Sequence, residues 1–466
     1  MERAVVDITP THPGILRIYT CGPTVYRDAH VGNLRTFLLP DLIRRVAEVG
    51  GLRTLRVQNI TDVGHMADDT GLGGVDEGQG GEEDRLLKEA QRTDSPALAL
   101  ARRYEESYLR DLAALNIHPA DHLPRASETI PQMLEVISAL MDSGHAYVGT
   151  DGNVYFDASS MADYGKLSGN RLDSLRAGHR FTDTGDSGKR FHADWALWKL
   201  ATPTRTQLIW DSPWGRGFPG WHVECTAMSL GLLGNSIDIH TGGIDLRFPH
   251  HEDERAQSNM MAGCEVVGHW VHAEHLLFAG RKMSKSAGNV VLVSDIAERN
   301  IDPLALRLIF LQHHYRQQMN LTWGGINGAQ TTLLRWRAKV AEWARSPSAA
   351  MPEEIVTLFL ERMNDDLDTP SAMNVLFAAE RDESISSGAK FELFSYADRV
   401  LGLDLARDVG RQTEIPAEVT DLAEQRAAAR SNRDWAMADD LRDALAARGF
   451  TIVDEPDGYR ITPLNG

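Results

Sequence analysis

The sequence predicts an α/β protein with a split parallel sheet that holds a nucleotide at its edge, and three observations point to this class. Residues 16–19 read as a strand, His30-Val31-Gly32-Asn33 as a glycine-bearing turn, and residues 36–49 as an apolar helix. Strand, glycine turn and helix N-terminus in succession make a layout that receives phosphate on backbone N–H groups. Far downstream, Lys282-Met283-Ser284-Lys285-Ser286 sets two lysines and two serines between Gly280 and Gly288. Two ammonium groups can neutralise a triphosphate while hydroxyls and N–H groups bind its oxygens. A Lys-Ser run is ordinarily a solvated basic loop, and only its pairing with the His30 turn makes it specific. The third observation is a second set of strand patterns, at 237–240 and 275–278, that completes the sheet.

In order along the chain, residues 12–64 form the first half of the nucleotide-binding fold, with a second strand at 54–59 after the helix. Residues 68–84 are rich in acidic residues and glycine, including Gly71, Gly73, Gly74, Gly78, Gly80 and Gly81. They lack the alternating carboxylates of a calcium loop and read as a mobile insertion. Residues 95–144 carry helical periodicity through Leu98, Leu100, Tyr104, Tyr108 and Leu112, and residues 145–215 are mixed, with short strands at 146–148 and 154–156. The second half of the fold spans about 220–289. Helical periodicity then dominates residues 302–401, through Leu304, Leu306, Leu308, Ile309 and Leu311. After Pro416, residues 418–448 read as a charged helix pair and 450–461 as a hairpin around Asp457-Gly458.

With 466 residues the chain can bury a large core and divides into several domains. It lacks an initial apolar run of signal-peptide type and any 18-residue apolar stretch, so a cytoplasmic protein without membrane spans is expected. A net charge of −18 excludes binding of nucleic acid by bulk electrostatics. It leaves room for an RNA recognised by shape on local basic faces.

Three cysteines, Cys21, Cys225 and Cys264, are too few and too scattered for a disulfide framework, which fits a reducing compartment. Cys21 and Cys225 lie in polar or glycine-bearing sequence, and a helix starting after Pro249 puts His250 and Glu254 on one face. Two thiolates, an imidazole and a carboxylate make a tetrahedral zinc set. The plainer alternative stays open on these residues alone: a free cysteine is ordinarily a small buried hydrophobe, and a His-Glu pair four apart an ordinary ion pair. The run His251-Glu252-Asp253-Glu254-Arg255 lacks the second histidine of a metalloprotease helix.

The His30 and Lys282 segments together resemble the paired signatures of class I aminoacyl-tRNA synthetases, written HIGH and KMSKS. The second is intact; the first has Asn33 where that class has its second histidine. Within the class, the chain looks like the cysteinyl-tRNA synthetase family over nearly its whole length. The resemblance rests on residues 19–26 (YTCGPTVY), 59–62 (NITD), 220–225 (GWHVEC), 238–246 (DIHTGGIDL), 248–252 (FPHHE) and the lysine loop. It implies a Rossmann-like catalytic domain split between 1–115 and 220–300, a connective insertion at 116–219, a helical bundle at 301–410, and a small mixed α/β anticodon-binding module at 416–466. It also implies zinc on Cys21, Cys225, His250 and Glu254, a cysteine pocket formed with Thr61 and Trp221, and adenosine contacts from His240, Gly242, Gly243 and Asp245. His30, Gly32, Asn33, Lys282 and Lys285 would handle ATP with Mg²⁺. Cys264 matches no functional position and is expected in the core, as is Trp214; His222 and His251 are expected as polar neighbours of the site. Arg426, Arg430, Arg433, Trp435 and Arg442 combine cations with an aromatic, as a surface for exposed bases does.

The expected activity is ATP-dependent conversion of L-cysteine to cysteinyl-adenylate and its transfer to tRNA-Cys by a monomeric enzyme. One alternative shares the activation step but passes cysteine to a small amine, as the ligase of mycothiol synthesis does; that family lacks the full C-terminal module. A second alternative is a weakly active paralogue that binds tRNA or cysteine as a regulator, for which Asn33 is the sole support.

Overall fold

The computed structural model describes residues 5–63, 84–170, 188–283, 288–411, 416–455 and 458–463. Strand β1 (Ile15–Thr20) leads to helix α1 (Val31–Val49), and the chain returns through β2 (Arg53–Gln58), parallel to β1 from Ile15↔Arg53 to Thr20↔Gln58. The expected helical stretch at 95–144 proves to be two helices after the short α2 (Arg85–Arg92): α3 (Ala97–Ala114) and α4 (Ile130–Asp142). Between them Asn116 takes φ 51°, and Pro119 and Pro124 favour extended chain. That chain covers the edge of β2, where Gln58 and Ile60 N–H groups donate to the carbonyls of His122 and Pro124.

The next segment builds an antiparallel sheet from β3 (Ala146–Val148), β4 (Val154–Phe156), β5 (Trp195–Leu200) and β6 (Gly217–Pro219), in that order. Helix α5 (Trp221–Leu233), β7 (Ile237–Gly243), α6 (His250–Ala262) and β8 (Val267–Ala273) then complete the central sheet. Its order is β2-β1-β7-β8, all parallel. The chain leaves β1 toward one side and β7 toward the other, so a crevice opens at their C-terminal ends, the place where such sheets take ligands.

Residues 276–278, expected in the central sheet, instead form β9 (Leu276–Phe278), which pairs with β10 (Arg281–Lys282) and β11 (Met319–Leu321) in a separate sheet. The fourth parallel strand is β8, whose mixed half-buried residues carry no clean alternation. Helices α7 (Val293–Glu298), α8 (Pro303–Leu311), α9 (Trp323–Trp343), α10 (Glu353–Asn364), α11 (Thr369–Arg381) and α12 (Ser387–Leu401) follow. The chain ends in α13 (Ala417–Ser431), α14 (Trp435–Ala447) and the hairpin β12 (Phe450–Glu455) and β13 (Gly458–Pro463), with a small core of Val419, Ala423, Leu445 and Ile452. Among the described residues no helix is long and apolar enough to cross a membrane. The glycine- and acid-rich stretch read at 68–84 lies outside the described residues apart from Asp84, which caps α2 through the Leu86 and Leu87 N–H groups. Cys264 corrects the sequence expectation: it is exposed, because Gly263 ends α6 in a left-handed turn and carries the chain to the surface.

A buried ionic knot ties α1 to the helices beyond the sheet. Asp41 of α1 accepts from Arg45 Nε at 2.9 Å, from Arg307 Nη2 of α8 at 2.8 Å and from the His118 N–H at 3.0 Å. Arg307 also donates to the carbonyls of Leu115, Asn116 and Leu401. Burial pushes the Asp41 carboxyl up, but the two guanidinium groups outweigh it and hold it below its ordinary value. Its contribution to stability is therefore present at neutral pH and is lost as pH falls through that depressed value. Arg307→Met should destabilise the fold by about 3–5 kcal/mol, since it leaves a buried carboxylate short of a partner. Denaturant titration checks this, and adding Asp41→Asn should recover part of the loss.

Candidate metal centre and nucleotide site

Each half of the split sheet contributes residues to one buried cluster. Cys21 follows the last residue of β1, with its N–H donating to Thr241 O of β7 at 3.1 Å. Cys225 lies in the second turn of α5, and His250 and Glu254 are one turn apart at the start of α6. Cys21 Sγ lies 3.8 Å from Cys225 Sγ and donates to Glu254 Oε1 at 3.1 Å. His250 Nε2 lies 3.6 Å from Cys225 Sγ and 2.9 Å from Glu254 Oε1. The four ligand atoms lie within 4.8 Å of one another. A tetrahedral ion with bonds of ~2.3 Å to sulfur and ~2.0 Å to nitrogen separates two sulfurs by ~3.8 Å and a sulfur from a nitrogen by ~3.5 Å. The Cys21–Cys225 and Cys225–His250 edges match those spacings, while the Cys21–Glu254 and His250–Glu254 edges are tighter. The donor set therefore fits zinc.

A second set shares two of these groups, since Cys21, His240, His251 and Glu254 also converge within 4.8 Å. His240 Nε2 is 3.4 Å and His251 Nε2 3.3 Å from Cys21 Sγ. His240 stacks on Trp270 with centroids 4.3 Å apart, and His251 Nδ1 is 2.9 Å from His272 Nε2. His251 thus reaches the cluster itself, although its sequence position marked it only as a polar neighbour.

Burial sets the electrostatics. It pushes the Cys21 thiol well above its ordinary range, the Cys225 thiol to about 11 and the Glu254 carboxyl to about 7. It lowers His240 to about 4 and His251 well below the ordinary imidazole value. A pocket that resists charge on its own and is lined with thiol, imidazole and carboxyl donors is one that a divalent cation neutralises on binding.

Trp221 opens α5 and stacks on the His250 ring at 4.0 Å and 22°. Buried Thr61 accepts from Asn59 Nδ2 at 2.9 Å, and Asn59 Oδ1 accepts from the Gly22 N–H at 2.8 Å, so the Cys21 loop and the Thr61 loop are joined. A side chain at position 22 would meet Asn59 O at 1.7 Å, so glycine is required there. Gly242 and Gly243 end β7, and exposed Asp245 sits in the turn Ile244–Arg247 just beyond.

The nucleotide segment differs in detail from its reading as a turn before a helix at 36. The helix begins at Val31, and His30 is its N-cap. His30 Nδ1 accepts from the Asn33 N–H at 3.2 Å and Asn33 Oδ1 accepts from the His30 N–H at 3.2 Å, a reciprocal capping box. Burial, aided by Arg27 and Lys282, lowers His30 to about 4, so it is neutral at physiological pH. The lysine segment packs over this helix start: a Cβ on Gly32 would meet Met283 Cε at 2.9 Å, and the Val31 N–H donates to Val291 O at 2.9 Å. Lys282 is exposed on β10, its carbonyl accepting from Asn289 Nδ2 at 3.1 Å. Lys285 lies outside the described residues.

Solved structures with this architecture include the Mycobacterium tuberculosis methionyl-tRNA synthetase in complex with methionyl-adenylate, with TM-score 0.55, 16% identity, and 91% of this chain and 96% of that one covered. Another is the LeuRS–tRNA–LeuAMS complex of Agrobacterium radiobacter K84, with TM-score 0.61, 10% identity, and 87% and 86% covered. The fold is that of the class I aminoacyl-tRNA synthetases. A model of the class I (C) tRNA synthetase catalytic domain matches residues 7–70 and 80–331, and one of the cysteinyl-tRNA ligase anticodon binding domain matches 412–460. Proteins named cysteine–tRNA ligase from Opitutus terrae (38% identical, 99% of this chain and 98% of that one) and Thermus thermophilus (39%, 99% and 97%) align along the whole length. One from Burkholderia lata, named cysteine–tRNA ligase 1, is 41% identical over 99% and 95%. The chain belongs to the cysteine–tRNA ligase family of class I aminoacyl-tRNA synthetases.

Asn33→Ala should remove the hydrogen bond from the His30 N–H to the Asn33 side chain and cost about 0.5–1.5 kcal/mol of stability, measured by thermal or denaturant unfolding. Asn33→His should cost less, because an imidazole nitrogen can still accept from the His30 N–H.

Proposed function

We propose that this protein activates L-cysteine with ATP, forming cysteinyl-adenylate and pyrophosphate, and transfers the cysteine to tRNA-Cys. The observation that carries this reading is the convergence of Cys21, Cys225, His250 and Glu254 in one buried cluster at the sheet crevice that also opens beside the α1 N-terminus. Cysteine and serine have nearly the same shape, and a difference in bulk alone separates such substrates by only ~1–3 kcal/mol. When bound by the four residues, zinc supplies a soft acceptor that prefers thiolate to hydroxyl.

The protein's own groups divide the remaining work. Thr61 and Trp221 border the cysteine pocket, and His240, Gly242, Gly243 and Asp245 receive the adenosine. The substrate carboxylate attacks the α-phosphorus of ATP and pyrophosphate leaves with its charge increased. The N–H groups at the start of α1, neutral His30 as a hydrogen-bonding group, and the lysines at 282 and 285 stabilise that charge, with Mg²⁺ on the phosphates. The division of labour follows the expected domains, with catalysis on 1–115 and 220–300, the insertion at 116–219, the bundle at 301–410 and base recognition on 416–466. Within that last module, Arg426 and Arg430 both pair with Asp454, at 2.8 and 3.2 Å; Trp435 is 57% exposed, and the half-exposed Arg430 lies 5.7 Å from its ring. These two suit stacking on exposed bases.

Cysteine-dependent exchange of labelled pyrophosphate into ATP, followed by transfer to purified tRNA-Cys and to a small amine, tests the reading. Exchange and tRNA charging are expected; exchange with the amine as the better acceptor would replace it by the small-molecule ligase. The purified protein should carry about one zinc per chain, and Cys225→Ser should lower zinc content and cysteine activation together while leaving the KM for ATP in place. Lys282→Ala should slow adenylation by roughly 10²-fold, with a smaller effect on ground-state ATP binding, as pre-steady-state kinetics would show. An equal loss in both would make it a simple binding residue.

A further inference from the structure

Behind the cluster, a continuous chain of buried polar groups runs from His250 to the insertion. His250 turns Nε2 toward Cys225 and Glu254, while its Nδ1 lies 2.7 Å from His222 Nδ1. His222 Nε2 is 3.3 Å from Asp253 Oδ2, and Asp253 Oδ1 accepts from the Tyr164 hydroxyl at 2.5 Å. His250, His222, Asp253 and Tyr164 are 1%, 4%, 2% and 6% exposed, so water competes for none of these contacts. Tyr164 is the outermost member, and its neighbours hold the same helix: Arg255 Nη2 donates to Asp163 Oδ2 at 2.7 Å and the Ser168 N–H to Glu252 Oε2 at 2.7 Å.

The proton positions follow from donor and acceptor capacity. A ring nitrogen that binds a cation carries no proton, so a His250 that coordinates through Nε2 is protonated on Nδ1. That N–H finds its acceptor in His222 Nδ1, which puts the His222 proton on Nε2, facing the Asp253 carboxylate. The Tyr164 hydroxyl donates to the other carboxylate oxygen. With Asp253 ionised, one neutral-imidazole arrangement therefore pairs every member of the chain and leaves the His250 lone pair aimed at the cluster.

We propose that Tyr164, Asp253 and His222 are positioning residues through which the insertion fixes the ring orientation and tautomer of His250, and thereby sets how firmly the metal is held and how well a thiol substrate binds. This rests on the metal reading above. Partners of this kind behind a metal-bound histidine typically change metal affinity or activity by ~10–100-fold when removed. A network that only braced two elements would lower the melting temperature and leave metal exchange alone.

The test compares full-length wild type, Cys225→Ser, Asp253→Asn and Tyr164→Phe for zinc content, rate of zinc loss to a chromogenic chelator, and the visible spectrum of the cobalt(II)-substituted protein. KM values for cysteine and for ATP are measured alongside. Asp253→Asn should lose zinc ~10–100-fold faster, shift the cobalt bands and raise the KM for cysteine but not for ATP. Tyr164→Phe should move the same readouts in the same direction by less, and its conservative change guards against loss of folding. His222→Asn, whose amide oxygen can still accept from His250, should retain zinc better than His222→Leu. Wild-type rates and spectra in both Asp253→Asn and Tyr164→Phe, with zinc lost from Cys225→Ser, would overturn the relay alone. A wild type that takes up no zinc would overturn the metal reading and the relay with it.

Discussion

Helix α6 sets the constraint around which the site is arranged. Its first ten residues, His250 to Asn259, are all buried, and Ala256 is the sole apolar residue among them. Polar groups taken out of water cost several kcal/mol unless they are paired, and charged ones more. The surroundings supply most of the pairs, the buried Gln257 amide excepted. The turn at 163–168 satisfies Glu252, Asp253 and Arg255, α5 brings His222 and Cys225, β8 brings His272, and the end of β1 brings Cys21. Four separate stretches of chain are thus held in place by the requirement that one polar helix be satisfied, and the cluster lies where they meet.

The nucleotide side depends on α1 in a comparable way. Arg35, in the second turn of that helix, donates to the carbonyls of Glu274, His275, His314 and Gln317. These carbonyls belong to the approaches to β9 and β11, so the hairpin that carries Lys282 is bound to the helix whose N-terminus is capped by His30. Further along, Asp41 binds Arg307 of the bundle. One helix therefore fixes the capped N-terminus, the lysine strand and the base of the helical bundle relative to one another.

The two buried systems differ in electrical character. The knot at Asp41 is charged, with guanidinium groups strong enough to keep a buried carboxylate ionised. In the cluster at Cys21, burial instead disfavours charge on the two thiols and on the His240 and His251 imidazoles. The first arrangement is complete in itself and locks structure. The second gathers thiol, imidazole and carboxyl donors around one point, which is the physical difference between a brace and a candidate binding site.

Local pattern in the sequence determined the strands at 16–19 and 54–59, the helix before Val49, the helix opening at His250 and the C-terminal hairpin, because periodicity and capping act over a few residues. The four residues that converge in the cluster were also singled out from the sequence, since cysteine and histidine carry distinctive chemistry wherever they stand. The break between α3 and α4, the separate sheet of β9 and the entry of His251 into the cluster were decided by tertiary structure. Each depends on which distant segment lies alongside: the edge of β2 draws out residues 122–125, and Cys21 approaches His251 across 230 positions of sequence. Tyr164 shows the same limit, because an isolated tyrosine becomes meaningful only when folding buries it 2.5 Å from Asp253. The sequence alone determined which groups the chain can offer, and the tertiary structure decided which of them meet, because burial and long-range pairing, not local propensity, set the energy of those encounters.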